Sequence, residues 1–172
     1  MKITHKDLKY IRKRHENVTI GVCFGGFDLF HAGHLNFVRV AKENCDILVV
    51  GVRDDQTLKI EKGSSRPIYD EKSRLEIIDA LKYTDYSLIT TPDSDLSDFE
   101  KYDTSEKINW EEYANIFRDL KPDRYLLVNT HTLPDSFMEM LKDINIEIVI
   151  INYTENISST QTIEKINKKI DL

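Results

Sequence analysis

The stretch VTIGVCFGGFDLFHAGHLNFVRVAKE, residues 18–43, decides the fold of this chain. Residues 18–24 are apolar and rich in β-branched side chains, which predicts a strand buried on both faces. Gly25 and Gly26 end this strand, because glycine lets the backbone turn sharply and pass close to a ligand. A polar loop and a helical pattern follow. A strand, a glycine turn and a helix start in this order predict a phosphate site within an α/β fold.

His31-Ala32-Gly33-His34 begins the helix that follows the glycine turn. Free backbone N–H groups and the positive end of the helix dipole point to where an anion would sit. The two histidines are three residues apart, so on a helical turn they lie on one side. We therefore expect His31 and His34 to face the same phosphate chain.

The pattern Phe27-Asp28-x-x-His31-x-Gly33-His34 resembles the signature of the cytidylyltransferase-like nucleotidyltransferases. That family includes glycerol-3-phosphate and phosphoethanolamine cytidylyltransferases and heptose-phosphate adenylyltransferases. The resemblance extends over residues 18–170 and implies the HxGH nucleotidyltransferase fold. It implies transfer of a nucleoside monophosphate from ATP or CTP to a phosphorylated small acceptor, such as a sugar or polyol phosphate, with release of pyrophosphate. The alternative is a non-catalytic nucleotide sensor on the same fold.

The resemblance implies that His31, His34 and Lys62 are the catalytic residues. Lys62-Gly63 followed by Arg66-Pro67 resembles the corresponding pair of dipeptides in the heptose-phosphate adenylyltransferases. A lysine can reach a triphosphate as a mobile point charge. Lys59 is the other cation in this polar stretch, and Lys62 is the preferred candidate.

Two further segments complete the expected nucleotide site. Arg74 lies in the first turn of a predicted helix, where a cation opposes the dipole. An arginine at this place resembles a phosphate ligand of the family. The alternative to phosphate binding is an ion pair with Asp70 or Glu71. Residues 157–160 resemble the second family motif, whose hydroxyl groups and helix start hold the β- and γ-phosphates. The expected nucleotide-binding residues are Gly25, Gly26, Phe27, Asp28, His31, His34, Arg74, Ile157, Ser158, Ser159 and Thr160.

The acceptor side departs from the family pattern. Relatives carry a glycine-acid-acid or glycine-aspartate-tyrosine stretch where this chain has Asn129-Thr130-His131-Thr132. We expect Asn129 and His131 to border the acceptor with different hydrogen bonds. The acidic stretch 91–109 is interpreted as a solvated loop and an inert insertion, with acceptor selection or lid closure as the alternative.

Magnesium is expected from the family as a companion of the NTP, and Asp28 is a candidate to position it. No metal site built from protein side chains is expected. A zinc site at His31 and His34 lacks a third ligand at fixed spacing.

Alternating strand and helix patterns predict a Rossmann-like, doubly wound, five-stranded parallel sheet. We expect one nucleotidyltransferase domain over residues 1–172, with residues 1–17 as an N-terminal helical addition. The first strand carries no GxGxxG fingerprint, which argues against a Rossmann oxidoreductase. A tRNA-charging domain is rejected because the chain is short and acidic and has no evident tRNA-binding extension.

The net charge of −6 argues against a general nucleic-acid binder, which would carry a basic face. The chain has no apolar run long enough to span a bilayer and no signal-peptide pattern. Its two cysteines are interpreted as buried reduced thiols. We expect a cytoplasmic homodimer whose partners are the NTP and the phosphorylated acceptor, with neither nucleic acid nor membrane among them.

Overall fold

The computed structural model describes residues 1–91, 110–131 and 133–170. These residues include five strands: β1 Ile20–Gly25, β2 Ile47–Val52, β3 Tyr86–Ile89, β4 Arg124–Val128 and β5 Glu147–Ile151. The strands form one parallel sheet in the order β3-β2-β1-β4-β5. The predicted five-stranded parallel sheet is confirmed.

Helices cover both faces of the sheet. They are α1 Leu8–Arg14, α2 Ala32–Glu43, α3 Asp55–Lys62, α4 Glu71–Asp79, α5 Trp110–Leu120, α6 Asp135–Asp143 and α7 Ser159–Ile170. Side chains of α1, α5 and α6 pack on one face, and those of α2 and α4 pack on the other. This arrangement confirms the doubly wound architecture.

The central strand β1 alternates between the two cores. Val22 and Phe24 point into one core, and Cys23 points into the other. Phe24 packs edge-on against Phe117 and Tyr125, with ring centroids 5.9 and 5.7 Å away. Edge-to-face aromatic pairs add to the area that they bury. The buried strand is therefore firmly held, and its carboxyl end has a fixed position.

No helix was predicted between β2 and Arg66, where the structure forms α3. Asp54 caps it by accepting a hydrogen bond from the backbone N–H of Thr57 at 2.8 Å. In this helix only Thr57 and Leu58 are buried, so its apolar periodicity is too weak to indicate a helix. The helix ends at Gly63, whose φ of 91° favours glycine.

The N-terminal addition lies against the edge strand β3. The backbone N–H of Thr4 donates to the Asp7 carboxylate, and the backbone N–H of Ile3 donates to the Ser87 carbonyl. Nε2 of His15 lies 2.9 Å from the Tyr86 hydroxyl, so this histidine also joins the addition to β3.

Two isoleucines near the end of α7, Ile166 and Ile170, are 49% and 76% exposed. The interpretation of 91–109 as an acidic loop falls almost entirely outside the described residues, as does Thr132. Within the part of the chain that the structure describes, no helix combines the length and apolar character needed to cross a membrane.

Arg74 does not bind phosphate in this arrangement, because its guanidinium is fully buried and engaged. Nη1 donates to the backbone carbonyls of Gly26 and Arg53 at 2.6 and 2.7 Å, and Nε donates to the carbonyl of Tyr69. Nη2 donates to Asp55 at 2.7 Å. The structure thus corrects both expectations for Arg74. The side chain holds the ends of β1 and β2 together, and its acidic partner is Asp55 instead of Asp70 or Glu71.

Replacing Arg74 with Met should lower the free energy of unfolding by roughly 3–5 kcal/mol, because the carbonyls and Asp55 lose a buried charged partner. Arg39→Met is the matched control. Arg39 pairs with Glu43 on the surface of α2, where such pairs contribute about 0–1 kcal/mol. Urea denaturation of both variants makes the comparison. Normal stability of Arg74→Met combined with lost NTP binding would restore the phosphate-ligand interpretation.

Candidate active site

A cavity of about 400 Å³ opens where β1, β2, β4 and β5 end. Ligand sites commonly have this size, and parallel sheets bind ligands at the carboxyl ends of their strands. Most of the residues predicted for the site lie in its wall. They are Gly25, Gly26, Phe27, His31, His34, Lys62, His131, Ser158, Ser159 and Thr160.

A side chain at Gly25 or Gly33 in this wall would press on its neighbours. A Cβ atom at Gly25 would approach the ring of Phe27 to 2.6 Å. A Cβ atom at Gly33 would meet the His31 ring at 3.0 Å and the Ile157 side chain at 3.2 Å. Glycine at position 33 therefore lets the first turn of α2 approach the segment that leads into α7.

His31 is the N-cap of α2 and does not lie within its first turn. Its Nδ1 accepts hydrogen bonds from the backbone N–H groups of Gly33 and His34 at 3.1 and 3.4 Å. Since a backbone N–H can only donate, Nδ1 is unprotonated and the ring proton of neutral His31 resides on Nε2. Burial and then the nearby Lys62 lower the pKa of His31. His31 thus offers a neutral Nε2–H donor.

His34 stacks on His31, with ring centroids 3.8 Å apart and planes inclined by 18°. Phe27 packs edge-on against the His34 ring. Burial lowers the pKa of His34 to about 3, and His31 and Lys62 act in the same direction. Nδ1 of His34 is buried and has no hydrogen-bond partner among the described residues. Both histidines are therefore neutral at pH 7, and a buried nitrogen of His34 is not yet paired.

Lys62 is the last residue of α3 and lines the cavity, whereas Lys59 of the same helix does not. Partial removal from water lowers the pKa of Lys62, and the nearby positive charge of Arg66 adds to the effect. Its charge lowers the pKa of both His31 and His34, with which it lines the same cavity. This position agrees with the preference for Lys62 over Lys59.

Asp28 does not face the cavity, which corrects its expected role as a nucleotide or magnesium ligand. Its carboxylate is 2% exposed and accepts hydrogen bonds from Arg66 Nε and from the backbone N–H groups of Ile68 and Tyr69, at 2.8–3.0 Å. Burial opposes ionisation of Asp28, but the backbone donors and Arg66 outweigh it and lower the pKa of this carboxyl. Arg66 is likewise occupied by Asp28, so this part of the Lys-Gly and Arg-Pro pattern is structural.

The loop between β1 and α2 is held in an unusual backbone conformation. Phe27 and Leu29 have φ angles of 52° and 47°, a region that costs non-glycine residues free energy. The Ser159 hydroxyl donates to the carbonyl of Asp28 at 2.6 Å. Contacts to both the carboxylate and the carbonyl of Asp28 therefore fix the loop that leads to the histidines.

The start of α7 forms the wall opposite α2. Ser158 caps this helix, since its hydroxyl oxygen accepts from the backbone N–H of Gln161 at 3.1 Å. Because the Ser159 hydroxyl proton is committed to Asp28, the backbone N–H groups of the first turn are the better phosphate donors. Ile157 contacts Gly33 and does not line the cavity.

Of the two residues expected near the acceptor, the structure brings only His131 into the cavity. Its Nε2 lies 2.8 Å from Arg53 Nη2 and must accept, because a guanidinium has no acceptor. Partial burial lowers the pKa of His131, and Arg53 adds to this effect. The Asn129 side chain instead accepts from the backbone N–H of Tyr153, which corrects its assignment.

Several cavity residues were missed by sequence reasoning: Arg53, Glu61, Thr130, Asn152, Tyr153 and Thr154. Arg53 is the first residue after β2, a position where parallel sheets place ligand-binding groups. That rule could have found Arg53. Glu61 could not be found, because the helix that carries it was not predicted.

The described residues contain no cluster of three or more His, Cys, Asp or Glu side chains that could hold a metal ion. Within the described cavity wall, the acidic side chain is Glu61, and it is paired with Arg53. These residues do not fit a metal centre built from protein ligands.

A sequence model of the cytidylyltransferase-like family matches residues 22–165. The chain belongs to this family. Membership confirms the resemblance found in the motifs of the chain.

Relatives of this cytidylyltransferase-like chain include the bifunctional protein HldE from two bacteria. The protein from Bradyrhizobium sp. (strain ORS 278) is 40% identical over 83 residues, which cover 48% of this chain and 17% of that protein. The protein from Desulfatibacillum aliphaticivorans is 30% identical over 144 residues, which cover 83% of this chain and 26% of that protein. The chain therefore spans about a quarter or less of the length of these relatives.

Solved structures share the fold at low sequence identity. A lipopolysaccharide core biosynthesis protein from Thermoplasma volcanium GSS1 matches with a TM-score of 0.54 and 24% identity, over 80% of this chain and 98% of that chain. A pantoate-β-alanine ligase from Francisella tularensis matches with a TM-score of 0.59 and 16% identity, over 100% of this chain and 78% of that chain. These matches show that the fold is shared with these two proteins.

Stability should depend on pH through His34. The folded protein disfavours the protonated ring, whereas the unfolded chain takes up this proton near pH 6.5. The contribution of His34 is therefore complete above that pH and is lost as the pH falls towards its folded pKa of about 3. Between pH 7 and pH 5 the wild type should lose roughly 1–2 kcal/mol more than a His34→Gln variant.

Urea denaturation of both proteins at each pH measures this difference. His15→Gln, which removes a histidine outside the cavity, is the control. Parallel loss of stability in wild type and His34→Gln would show that His34 titrates normally.

Proposed function

We propose that the protein transfers a nucleoside monophosphate from ATP or CTP to a phosphorylated small acceptor, such as a sugar or polyol phosphate, and releases pyrophosphate. One observation carries this proposal. The stacked, neutral pair His31 and His34 stands at the start of α2, across one cavity from the start of α7, with Lys62 beside it. Two helix starts, two neutral donors and a cation suit a triphosphate better than a single phosphate.

The triphosphate would lie between the two helix starts. The first N–H groups of a helix have no partner within it, and the helix dipole favours negative charge there. Gly33 allows the start of α2 to approach the segment before α7, so that one phosphate chain could reach both. Lys62 would supply a full positive charge next to the histidines.

The chemistry would need no strong general base. The second pKa of a phosphate monoester is near ~6, so the attacking oxygen is already anionic at neutral pH. The protein would align this oxygen with the α-phosphorus and stabilise the charge that grows on the bridging oxygen and on pyrophosphate. The Nε2–H group of His31 and the ring of His34 are suited to donate hydrogen bonds to these oxygens.

The identity of the base is proposed only as adenine or cytosine. Lys62-Gly63 and Arg66-Pro67 favour adenylyl transfer by resemblance, and the Phe27-to-His31 run is equally similar to the cytidylyltransferases. Because Arg66 is bound to Asp28, it is not available to a base. A divalent cation such as Mg²⁺ would accompany the triphosphate, since Mg²⁺ is commonly bound by substrate phosphates and water.

Pyrophosphate release tests the activity directly. The protein is incubated with Mg²⁺, each of the four NTPs and a panel of phosphorylated sugars, polyols and amino alcohols. We expect release only with ATP or CTP and a phosphorylated acceptor, and none with the unphosphorylated compounds. Thermal unfolding with each NTP runs in parallel, because a ligand well above its dissociation constant raises stability.

Stabilisation by an NTP without product from any acceptor would favour the non-catalytic sensor. Lack of stabilisation by every NTP at millimolar concentration would contradict nucleotide binding itself.

His34→Ala should lower kcat by about 10²–10³-fold, because the lost donor acts mainly on charge that develops in the transition state. The KM for the NTP should change little, since the helix starts and Lys62 remain. Steady-state kinetics of His34→Ala and of the control His15→Gln measure the effect, and circular dichroism verifies folding. An unchanged kcat in folded His34→Ala would remove the catalytic role of the motif.

A further inference from the structure

Arg53 is a buried cation in the cavity wall that the family motifs do not include. It is 6% exposed and follows β2 directly. Its Nη1 lies 2.6 Å from both carboxylate oxygens of Glu61, and its Nη2 lies 2.8 Å from Nε2 of His131. Glu61 comes from α3 and His131 from the end of β4. Three separate elements thus fix the plane of one guanidinium.

The Nε–H group of Arg53 takes part in neither of these contacts. It is buried and has no hydrogen-bond partner among the described residues. Buried polar groups are nearly always paired, so this donor would gain a partner if a ligand oxygen reached it. Nε–H and Nη2–H together form one edge of the guanidinium fork, which matches the oxygens of a phosphate or carboxylate.

The described cavity wall carries two cations, Lys62 and Arg53. Lys62 ends α3, and Arg53 is held by contacts to Glu61 and His131. Because these contacts fix its planar guanidinium, Arg53 is suited to bind a second anionic group in a defined orientation.

The proposed reaction requires a second cation in the cavity. A phosphorylated acceptor and an NTP are both anions, and they must approach each other within one cavity. Their repulsion is strong where water is excluded, because the effective dielectric constant is low there. A second fixed cation on the acceptor side would offset this repulsion. His31 and His34 cannot do so, because they are neutral.

We propose that Arg53 binds the phosphoryl group of the acceptor through its Nε–H and Nη2–H edge, with Glu61 and His131 as positioning residues that hold the guanidinium plane. The proposal rests on the proposed function and names its acceptor subsite. It defines the acceptor class as phosphate monoesters whose phosphoryl oxygens reach this edge of the cavity.

Kinetics of an Arg53→Lys variant test the subsite. Lysine retains the charge but loses the planar fork, so the KM for the acceptor should rise about tenfold or more while the KM for the NTP stays within about twofold. Arg39→Lys is the matched control, since Arg39 pairs with Glu43 on the surface. An unchanged acceptor KM in Arg53→Lys would overturn the proposal.

A pair of variants at position 131 tests the positioning role. His131→Leu removes the acceptor for Nη2–H and should raise the acceptor KM about threefold to tenfold, whereas His131→Gln supplies an amide oxygen and should restore most of the loss. A purely structural role would change thermal stability in both variants without this split in acceptor KM. Equal acceptor KM values in the two variants would contradict the positioning role.

A binding measurement on the wild type needs neither turnover nor a folded Arg53 variant. The Arg53 ¹⁵Nε–¹H resonance, assigned through bonds, is followed while inorganic phosphate is added, with sodium chloride at equal ionic strength as control. We expect a saturable shift with phosphate and none with chloride. A resonance that phosphate does not move would overturn the subsite.

The two measurements separate this proposal from the proposed function. A saturable shift in a protein that makes no product with any acceptor would support the anion site and reject the transferase proposal. Turnover with a normal acceptor KM in Arg53→Lys would support the transferase proposal and reject the Arg53 subsite.

Discussion

The geometry of the cavity depends on the buried guanidinium of Arg74. Strands β1 and β2 end side by side, and the carbonyls of Gly26 and Arg53 just beyond them need partners away from water. One permanently charged side chain satisfies both, and it also binds Asp55 at the start of α3. The helix that carries Lys62 and Glu61, the glycine turn before the histidines and the backbone of Arg53 are thus joined at a single point. Arg74 therefore has a structural role and does not line the ligand cavity.

A second buried charge continues this arrangement. Asp28 gathers donors from Arg66 and from two backbone N–H groups, and its own carbonyl receives the Ser159 hydroxyl. The loop before α2 is thereby tied to the start of α7, although the two lie far apart in the chain. Such ties can hold the left-handed backbone of Phe27 and Leu29, which a free loop would relax. The spacing between the two helix starts consequently follows from protein contacts that exist before any phosphate arrives.

Sequence patterns predicted the sheet well because its strands are apolar runs whose burial is a local property of composition. The motif identified His31 and His34 because both lie at the helix start that the motif marks. Arg74 and Asp28 were misassigned for a different reason. A charge in a sequence shows that some partner is needed, but three-dimensional placement decides whether that partner is phosphate, Asp55 or a backbone N–H. Helix α3 was missed because only Thr57 and Leu58 are buried in it, and Glu61 was missed with it.

The protonation states of the cavity groups suggest how binding and catalysis would be divided in the proposed reaction. Cations attract a triphosphate equally before and during the reaction, so they mainly strengthen ground-state binding. A neutral imidazole N–H binds an uncharged or weakly charged bridging oxygen less strongly, and its hydrogen bond strengthens as negative charge develops there. Stacking and burial hold His31 and His34 in this neutral form, while Lys62 provides the charge beside them. Protonated histidines would tighten the ground state as well, so the low pKa of His34 favours rate over affinity.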